Sequence, residues 1–346
     1  MAVRWGVLGA ARIARQAVIP AIQAAGGVVE VLGSRSLERG LETARALGVA
    51  EVVEGYQGVL DRDLDCVYIP LPNSLHKRWV LEALRRGRHV LCEKPLALSA
   101  VEAVEMDQAA RAHQRLLGEA VMYRYHPRWA LVHSLIGDGV IGELRQISGN
   151  FSFPLEGDDD YRWDPGLGGG ALYDVGSYLI NAARWIAGRE PDLAEAVAAW
   201  RGGVDQAASV SLRFPGSGAS APCLAGLACG FAAAEAQWLA IEGTKGGILL
   251  DRPFTAWHGE ALPISLRVGS GLVQQIPAPP ADPYLEMIRA FHRAMDTGEV
   301  LLTSAADGAA NLAVLDACRL SLAQPGARPL AVRQRLSGRL DPASSA

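Results

Sequence analysis

Along the first hundred residues, short apolar runs alternate with segments whose apolar positions are interleaved with charges. Val3–Leu8 (VRWGVL) predicts a strand, with a helix from Arg12 to Ala24 behind it. Val28–Gly33 predicts a second strand with a helix over Leu37–Leu47. Cys66–Ile69 is a third, followed by a helix over Ser74–Arg86, and His89–Cys92 a fourth, followed by a helix over Ala100–Gln114. Strand–helix units at this spacing predict a mostly parallel sheet covered on both faces, with right-handed crossovers.

After about Leu117 the rhythm changes. Met122–Tyr125 and Leu144–Phe153 read as extended, with a helix over Arg128–Leu135 between them. A helix over Ala171–Ala187 starts after a glycine cluster. Sheet segments follow near Leu193–Trp200, Ala207–Phe214, Leu227–Ile241, Gly247–Leu250, Ile264–Val268 and Leu272–Ile276, then helices over Tyr284–Thr297 and Ala305–Leu322. The expected division is a first domain over 1–120, a second over 121–340 and a small, polar, flexible tail over 341–346. The last two helices suit packing on either domain.

Composition narrows the class. At roughly 150 residues per domain, 346 residues argue for about two domains, and an apolar half of the chain can fill two cores. Lys plus Arg number 33 against 37 Asp plus Glu, a balance that argues against a broad basic nucleic-acid footprint. Five scattered cysteines lack the spacing of a disulfide framework or a zinc ribbon. No secretory segment is visible at the start and no run has bilayer-spanning length, so a reduced, cytoplasmic setting is expected.

The chemistry starts at the first strand's end. In Gly6-Val7-Leu8-Gly9-Ala10-Ala11-Arg12-Ile13-Ala14, Gly9 lets backbone approach a pyrophosphate, while small Ala11 and Ala14 allow close helix–sheet packing. The N–H groups at the helix start, near Ala11, Arg12 and Ile13, suit phosphate. Ala11 stands where a glycine is expected, so the fingerprint depends on its strand–turn–helix setting. At the second strand's end, Ser34-Arg35-Ser36 with Arg39 offers hydroxyls and guanidinium groups instead of a carboxylate. That set suits a 2′-phosphate, so NADP(H) is preferred and NAD(H) stays open. The fold class expected is therefore α/β: an N-terminal Rossmann dinucleotide-binding domain, then an α/β domain with a large, mostly antiparallel open sheet.

Two later segments leave strand ends on the same side: Tyr68-Ile69-Pro70-Leu71-Pro72-Asn73-Ser74-Leu75-His76 and Cys92-Glu93-Lys94-Pro95-Leu96. Ligands of open parallel sheets gather beyond strand C-termini. Taken singly, Lys94 is an ordinary surface lysine; its location argues for a site. Asp174 and Tyr178, four residues apart on the helix after Gly168–Gly170, share a face and are the matching candidates from the second domain. Asp174 also suits a helix-start role, and Tyr178 a core aromatic. The acidic Glu156–Asp160 stretch resembles no complete calcium loop, and no metal site is expected.

These segments, with Tyr123-Arg124-Tyr125-His126-Pro127 and Gly168-Gly169-Gly170-Ala171-Leu172-Tyr173-Asp174-Val175-Gly176-Ser177-Tyr178, resemble the glucose-fructose oxidoreductase, inositol dehydrogenase and rhizopine-catabolism protein superfamily. The resemblance covers most of residues 3–187. It implies that Leu71, Pro72, Asn73 and His76 flank the cofactor, with Glu93 beside them, and that Lys94 faces the nicotinamide–substrate junction. Many members carry histidine where this chain has Tyr178. Tyrosine there resembles the glucose-fructose oxidoreductase, dimeric dihydrodiol dehydrogenase, xylose dehydrogenase and sugar 3-ketoreductase branches.

The implied catalytic set is Lys94, Tyr178 and Asp174, with Tyr178 exchanging the hydroxyl proton and Asp174 orienting Lys94 or a sugar hydroxyl. Tyr123, Arg124 and Trp163 would line the substrate site with Lys94, Asp174 and Tyr178; His126, Asp164 and Asn181 are further candidates. The expected activity is NADP(H)-dependent oxidoreduction of a sugar-like alcohol or carbonyl, foremost an aldose at C1. Reduction of a nucleotide-linked or anhydro ketosugar, trans-dihydrodiol oxidation, a non-catalytic NADP(H)-binding role and NAD-dependent glycoside hydrolysis are the alternatives. A homodimer or homotetramer through the second domain's sheet is expected, with no nucleic-acid or membrane partner.

Overall fold

The computed structural model describes residues 2–216, 218, 221–255 and 259–323, and the backbone of 330–331. The tail assigned to 341–346 lies outside the described residues. The first sheet contains β1 (Arg4–Leu8), β2 (Val28–Ser34), β3 (Glu51–Glu54), β4 (Cys66–Ile69), β5 (His89–Cys92) and β6 (Leu117–Glu119). Its order is β3-β2-β1-β4-β5-β6 and every pairing is parallel. This is the Rossmann order, with a topological switch between β1 and β4. The apolar runs of β1 and β4 are continuous because helices cover both faces: Val7, Leu8, Cys66, Val67, Tyr68 and Ile69 have no exposed surface.

A helix runs from Arg12 through a π-helical turn, Ala14–Val18, into α1 (Ile19–Ala24). Behind it come α2 (Leu37–Leu47), α3 (Gln57–Leu60), α4 (His76–Arg85) and α5 (Ala100–Ala112). Local chemistry sets several ends. Ser36 caps α2 by accepting the Arg39 N–H at 3.3 Å, and Gly48 ends that helix in the left-handed region. Ser99 caps α5 by accepting the Glu102 N–H, while Glu102 reaches back to the Leu98 N–H at 3.1 Å.

The second sheet is built from β7 (Leu144–Ser152), β8 (Leu193–Arg201), β9 (Val204–Phe214), β10 (Cys223–Gly230), β11 (Ala236–Gly243), β12 (Gly246–Asp251), β13 (Ile264–Val268), β14 (Gln274–Ile276) and β15 (Leu330–Ala331). The order is β14-β13-β12-β11-β7-β10-β9-β8-β15, antiparallel throughout except where β10 runs parallel to β7. The later helices are α6 (Pro127–Gly137), α7 (Ser177–Ala187), α8 (Pro283–Thr297) and α9 (Ala305–Ala323). One sheet face takes α7 and α9. Ile147, Phe151, Val210, Leu212, Leu227 and Leu239 point into that core.

The structure departs from the sequence pattern at four places. β3, with charged residues at both ends, and the three-residue β6 are too short to show a period, yet both extend the parallel sheet. The apolar stretch Leu227–Ile241 is two strands, and β7 lies between them. Met122–Tyr125 is a 3-10 turn instead of extended chain, because the backbone bends there from β6 into the second domain. The last helices divide their contacts. α8 returns to the first domain, where Phe291 packs on Trp5 and the Trp5 indole N–H donates to His292 at 3.1 Å; α9 packs on both α5 and β8.

Candidate active site

The turn after β1 and the end of β2 meet at the switch point in a cradle that would fit a dinucleotide. Gly9 follows β1 with φ +124°, and a Cβ there would lie 3.2 Å from Leu71 Cδ2 and 3.6 Å from the Pro70 carbonyl oxygen. Only glycine gives both that backbone angle and that approach. The turn continues through partly exposed Ala11, exposed Arg12 and partly exposed Ile13 into the first helix, whose leading N–H groups have no partner within the helix itself. At the end of β2, Ser34 is buried while Arg35 and Arg39 are exposed. No carboxylate stands between Ser34 and Leu37 to repel a phosphate. These residues fit a dinucleotide with its adenosine side toward the two arginines.

Two further loops leave the carboxyl ends of β4 and β5. His76 has no exposed surface; its Nε2 lies 2.7 Å from the Leu71 carbonyl oxygen and its Nδ1 3.0 Å from that of Pro95. The buried ring is thus wedged between the Pro70–His76 loop and the Lys94 loop, with a backbone carbonyl beside each nitrogen. Asn73 donates to the Gly168 carbonyl at 2.8 Å, joining the first loop to the second domain. Leu71 is buried against Gly9 and Pro72 is partly exposed. Glu93 accepts the Tyr68 hydroxyl at 2.6 Å; burial pushes its carboxyl up, against that hydrogen bond and the charge of Lys94.

Lys94 projects from the end of β5 into the second domain. Its Nζ donates to Asp174 Oδ1 at 2.7 Å and to the Asp174 carbonyl at 2.8 Å, and lies 4.8 Å from the centre of the Tyr178 ring. The other Asp174 oxygen accepts Arg162 Nε at 2.7 Å. Burial alone would raise the Asp174 carboxyl, but the Lys94 and Arg162 cations outweigh it and hold that carboxyl well below the usual range. Asp174 stays ionised and aims Lys94. Tyr178 behaves oppositely: burial, with Tyr284, Glu93 and Asp174 nearby, holds its phenol well above the ordinary value. Its hydroxyl faces Met122 Sδ at 3.7 Å, so Lys94 meets the ring face instead of the oxygen.

The helix bearing these groups runs from Ala171 through a π-helical turn, Leu172–Gly176, into α7. Asp205, at the start of β9, accepts the Leu172 N–H at 2.6 Å. It satisfies the helix start, a role the sequence had left open for Asp174. Gly168 has φ +78°, and a Cβ would fall 2.4 Å from Leu98 Cδ2 and 3.0 Å from Asn73 Cβ. A bare backbone there lets the two domains close around Lys94 and Asp174.

The remaining sequence candidates separate into two groups. Tyr123 and Arg124 are buried: the Tyr123 hydroxyl donates to Asn181 Oδ1 at 2.6 Å, and Arg124 pairs with Asp307 at 2.5 Å above the Trp185 ring. Tyr123 supports Tyr178 from behind, in an aromatic cluster with Phe151 and Phe254, and its hydroxyl is taken by Asn181; Arg124 Nε is buried without a hydrogen-bond partner. His126 caps α6 by accepting the Arg128 N–H at 3.1 Å, and Asp164 accepts the Gly166 N–H at 2.8 Å in the turn before Gly168. Trp163 is partly exposed, donates to the Gly157 carbonyl, packs edge-on against Phe231 and lies 4.2 Å below the Arg201 guanidinium. Asp205 and Asp307 were given no role from the sequence, and Arg162 only a place in the Arg162–Pro165 segment that the resemblance puts beside the sugar site. Arg162 is twelve positions from its carboxylate across a glycine turn, and only folding brings them together. Among the described residues no group of three or more His, Cys, Asp or Glu is arranged to hold a metal, and no helix is long and apolar enough to cross a membrane.

Comparison with known proteins agrees with this architecture. Residues 3–121 match the oxidoreductase family with an NAD-binding Rossmann fold, and residues 129–249 match the GFO/IDH/MocA C-terminal domain. The chain belongs to the GFO/IDH/MocA oxidoreductase family. It is 36% identical to the D-xylose 1-dehydrogenase (NADP(+)) 2 of Haloferax volcanii, covering 85% of this chain and 90% of that one. It is 37% identical to the dTDP-3,4-didehydro-2,6-dideoxy-α-D-glucose 3-reductase of Streptomyces antibioticus, over 87% and 90% of the two chains. The crystal structure of a 3-ketoreductase from Actinomadura kijaniata, in complex with NADP and TDP-benzene, superposes with a TM-score of 0.86 at 31% identity, covering 93% of this chain and 98% of that one.

Proposed function

We propose that this chain is an NADP(H)-dependent oxidoreductase acting on a CH–OH or carbonyl carbon of a sugar or sugar-like molecule, with aldose oxidation at C1 the first substrate class. The carrying observation is Lys94, held by ionised Asp174 at 2.7 Å and stacked on Tyr178, at the carboxyl end of a parallel Rossmann sheet. Bound in the crevice, the nicotinamide supplies or accepts the hydride. Gly9, the helix start at Arg12 and Ile13, and Leu71 to Asn73 hold the dinucleotide. Arg35 and Arg39 take the 2′-phosphate, which favours NADP(H) while leaving NAD(H) a weaker ligand. Lys94 donates to the substrate oxygen and stabilises charge on it; Tyr178 Oη gives or takes the proton at that same oxygen. Trp163 offers an aromatic face for a sugar ring.

A second reading, reduction of a nucleotide-linked ketosugar, is supported by two observations. Tyr178 is held protonated and so is set to donate. Solved variants of the Actinomadura kijaniata 3-ketoreductase replace one lysine and one tyrosine, separated by the same number of positions as Lys94 and Tyr178. A screen of aldoses with NADP+ or NAD+, and of dTDP-linked ketosugars, anhydroketosugars and dihydrodiols with either cofactor, tests both readings. Turnover of aldoses supports the first, and turnover of ketosugars alone supports the second. Tight cofactor binding with no turnover of any would leave a non-catalytic NADP(H)-binding protein. The open face of the second sheet, which exposes Val197, Leu224, Trp238 and Leu249, is our candidate for homodimer or homotetramer contact.

A further inference from the structure

Glu119 ends β6 and is 1% exposed. Its Oε1 accepts the N–H of Leu96, two residues beyond Lys94, at 2.8 Å. Its Oε2 has no hydrogen-bond partner and faces Gly308 of α9, where a Cβ would lie 3.0 Å from that oxygen. The backbone is fastened at the same place: the Glu119 N–H donates to the Thr303 carbonyl at 2.9 Å, and the Thr303 hydroxyl donates to the Glu119 carbonyl at 2.7 Å. The carboxylate therefore sits where β6, the Lys94 loop and the first turn of α9 meet.

That same turn carries Asp307. Its carboxylate accepts Arg124 at 2.5 Å, Asn181 at 3.2 Å and Arg184 at 3.4 Å. Asn181 and Arg184 follow Tyr178 on α7, and Asn181 also holds the Tyr123 hydroxyl behind the Tyr178 ring. One turn of α9 thus connects the loop bearing Lys94 to the helix bearing Tyr178.

We propose that Glu119 is a positioning residue for the hydride-transfer site: through the Leu96 N–H it fixes the Lys94 loop to the α9 turn whose Asp307 fixes the Tyr178 helix. The inference rests on the role given above to Lys94. A neutral side chain would serve a purely structural contact. Here a buried carboxylate faces a second one, Asp307, with Arg184 and Arg124 as the nearby cations. Burial and Asp307 raise the Glu119 carboxyl to about 7, against the Leu96 N–H and the two guanidinium groups. As Glu119 ionises, its bond to Leu96 becomes charge-assisted and the loop is held more firmly.

The chain has three lysines, Lys77, Lys94 and Lys245, and Lys245 is exposed. Amine acylation followed by mass spectrometry therefore reports the reactivity of Lys94 against Lys245 in the full-length protein, without a known substrate. In Glu119→Ala the Lys94-to-Lys245 ratio should rise about fivefold. In the wild type the ratio should fall by about twofold or more between pH 6 and 8, and in Glu119→Gln it should stay flat. NADPH affinity, read by fluorescence titration, should stay within about twofold in Glu119→Gln. A wild-type ratio in Glu119→Ala, or a wild-type pH response in Glu119→Gln, would overturn the proposal; if the alanine variant does not fold, the glutamine pH response decides alone. Absence of turnover in the substrate screen would sink the functional reading while leaving this measurement interpretable.

Discussion

Asp174 carries two cations on one carboxylate, and that arrangement divides labour at the candidate site. Lys94 is pulled toward the second domain, while Tyr178 remains a neutral phenol beneath it. Removing the hydroxyl in Tyr178→Phe should lower kcat by about 100-fold or more and leave NADPH affinity nearly unchanged. Unchanged turnover in steady-state assays would remove Tyr178 from its assigned role. At the other end of the cofactor, Arg35→Asp should weaken NADP+ binding more than NAD+ binding in parallel titrations; equal losses would count against the 2′-phosphate assignment. Lys94 and Tyr178 stand out in the sequence because one ends a strand and the other follows a glycine cluster. Arg162 has no comparable mark, since its partner is fixed by the fold.

At the scale of elements, the helix over 171–187 is legible from its pattern, but its starting chemistry is not. Asp205 comes from a distant strand to satisfy the Leu172 N–H, which releases Asp174 for Lys94 and Arg162. Asp205→Ala should cost about 1–2 kcal/mol in urea unfolding, the range for a lost helix cap, and should reduce turnover as Asp174 shifts. Unchanged stability together with unchanged turnover would show that water can supply the cap instead. β6 and the 3-10 turn at Met122–Tyr125 escaped the sequence pattern for a related reason. Three residues, or one turn, hold too few positions to display a period.

The whole molecule is held together by elements that cross between its two sheets. α8 covers Trp5 of the first sheet, and α9 packs on both α5 and β8, so stability depends on groups buried at that junction. Glu119 is one of them. Its folded-state carboxyl is raised to about 7, above the unfolded range, so protonation favours the folded chain. The contribution is present at acidic pH and is lost as pH rises through about 7, by roughly 3 kcal/mol at most. Glu119→Gln should therefore be more stable than the wild type at pH 8 and equal to it near pH 4.5, as read by urea melts. The exposed sheet face makes a separate prediction. If it joins subunits, Leu224→Glu with Trp238→Glu should yield monomers in analytical ultracentrifugation without unfolding the chain.

By itself the sequence determined the alternation of strands and helices in the first domain, the sheet-rich second half and the strand-end positions of Gly9 and Lys94. Those features are local: apolar period, turn residues and caps act within a few positions. Tertiary structure alone decided that β7 lies between β10 and β11, that His76 braces two loops, and that Arg162 and Lys94 share Asp174. Each depends on side chains far apart in the chain meeting in a low-dielectric interior, where a charge or polar group must find a partner.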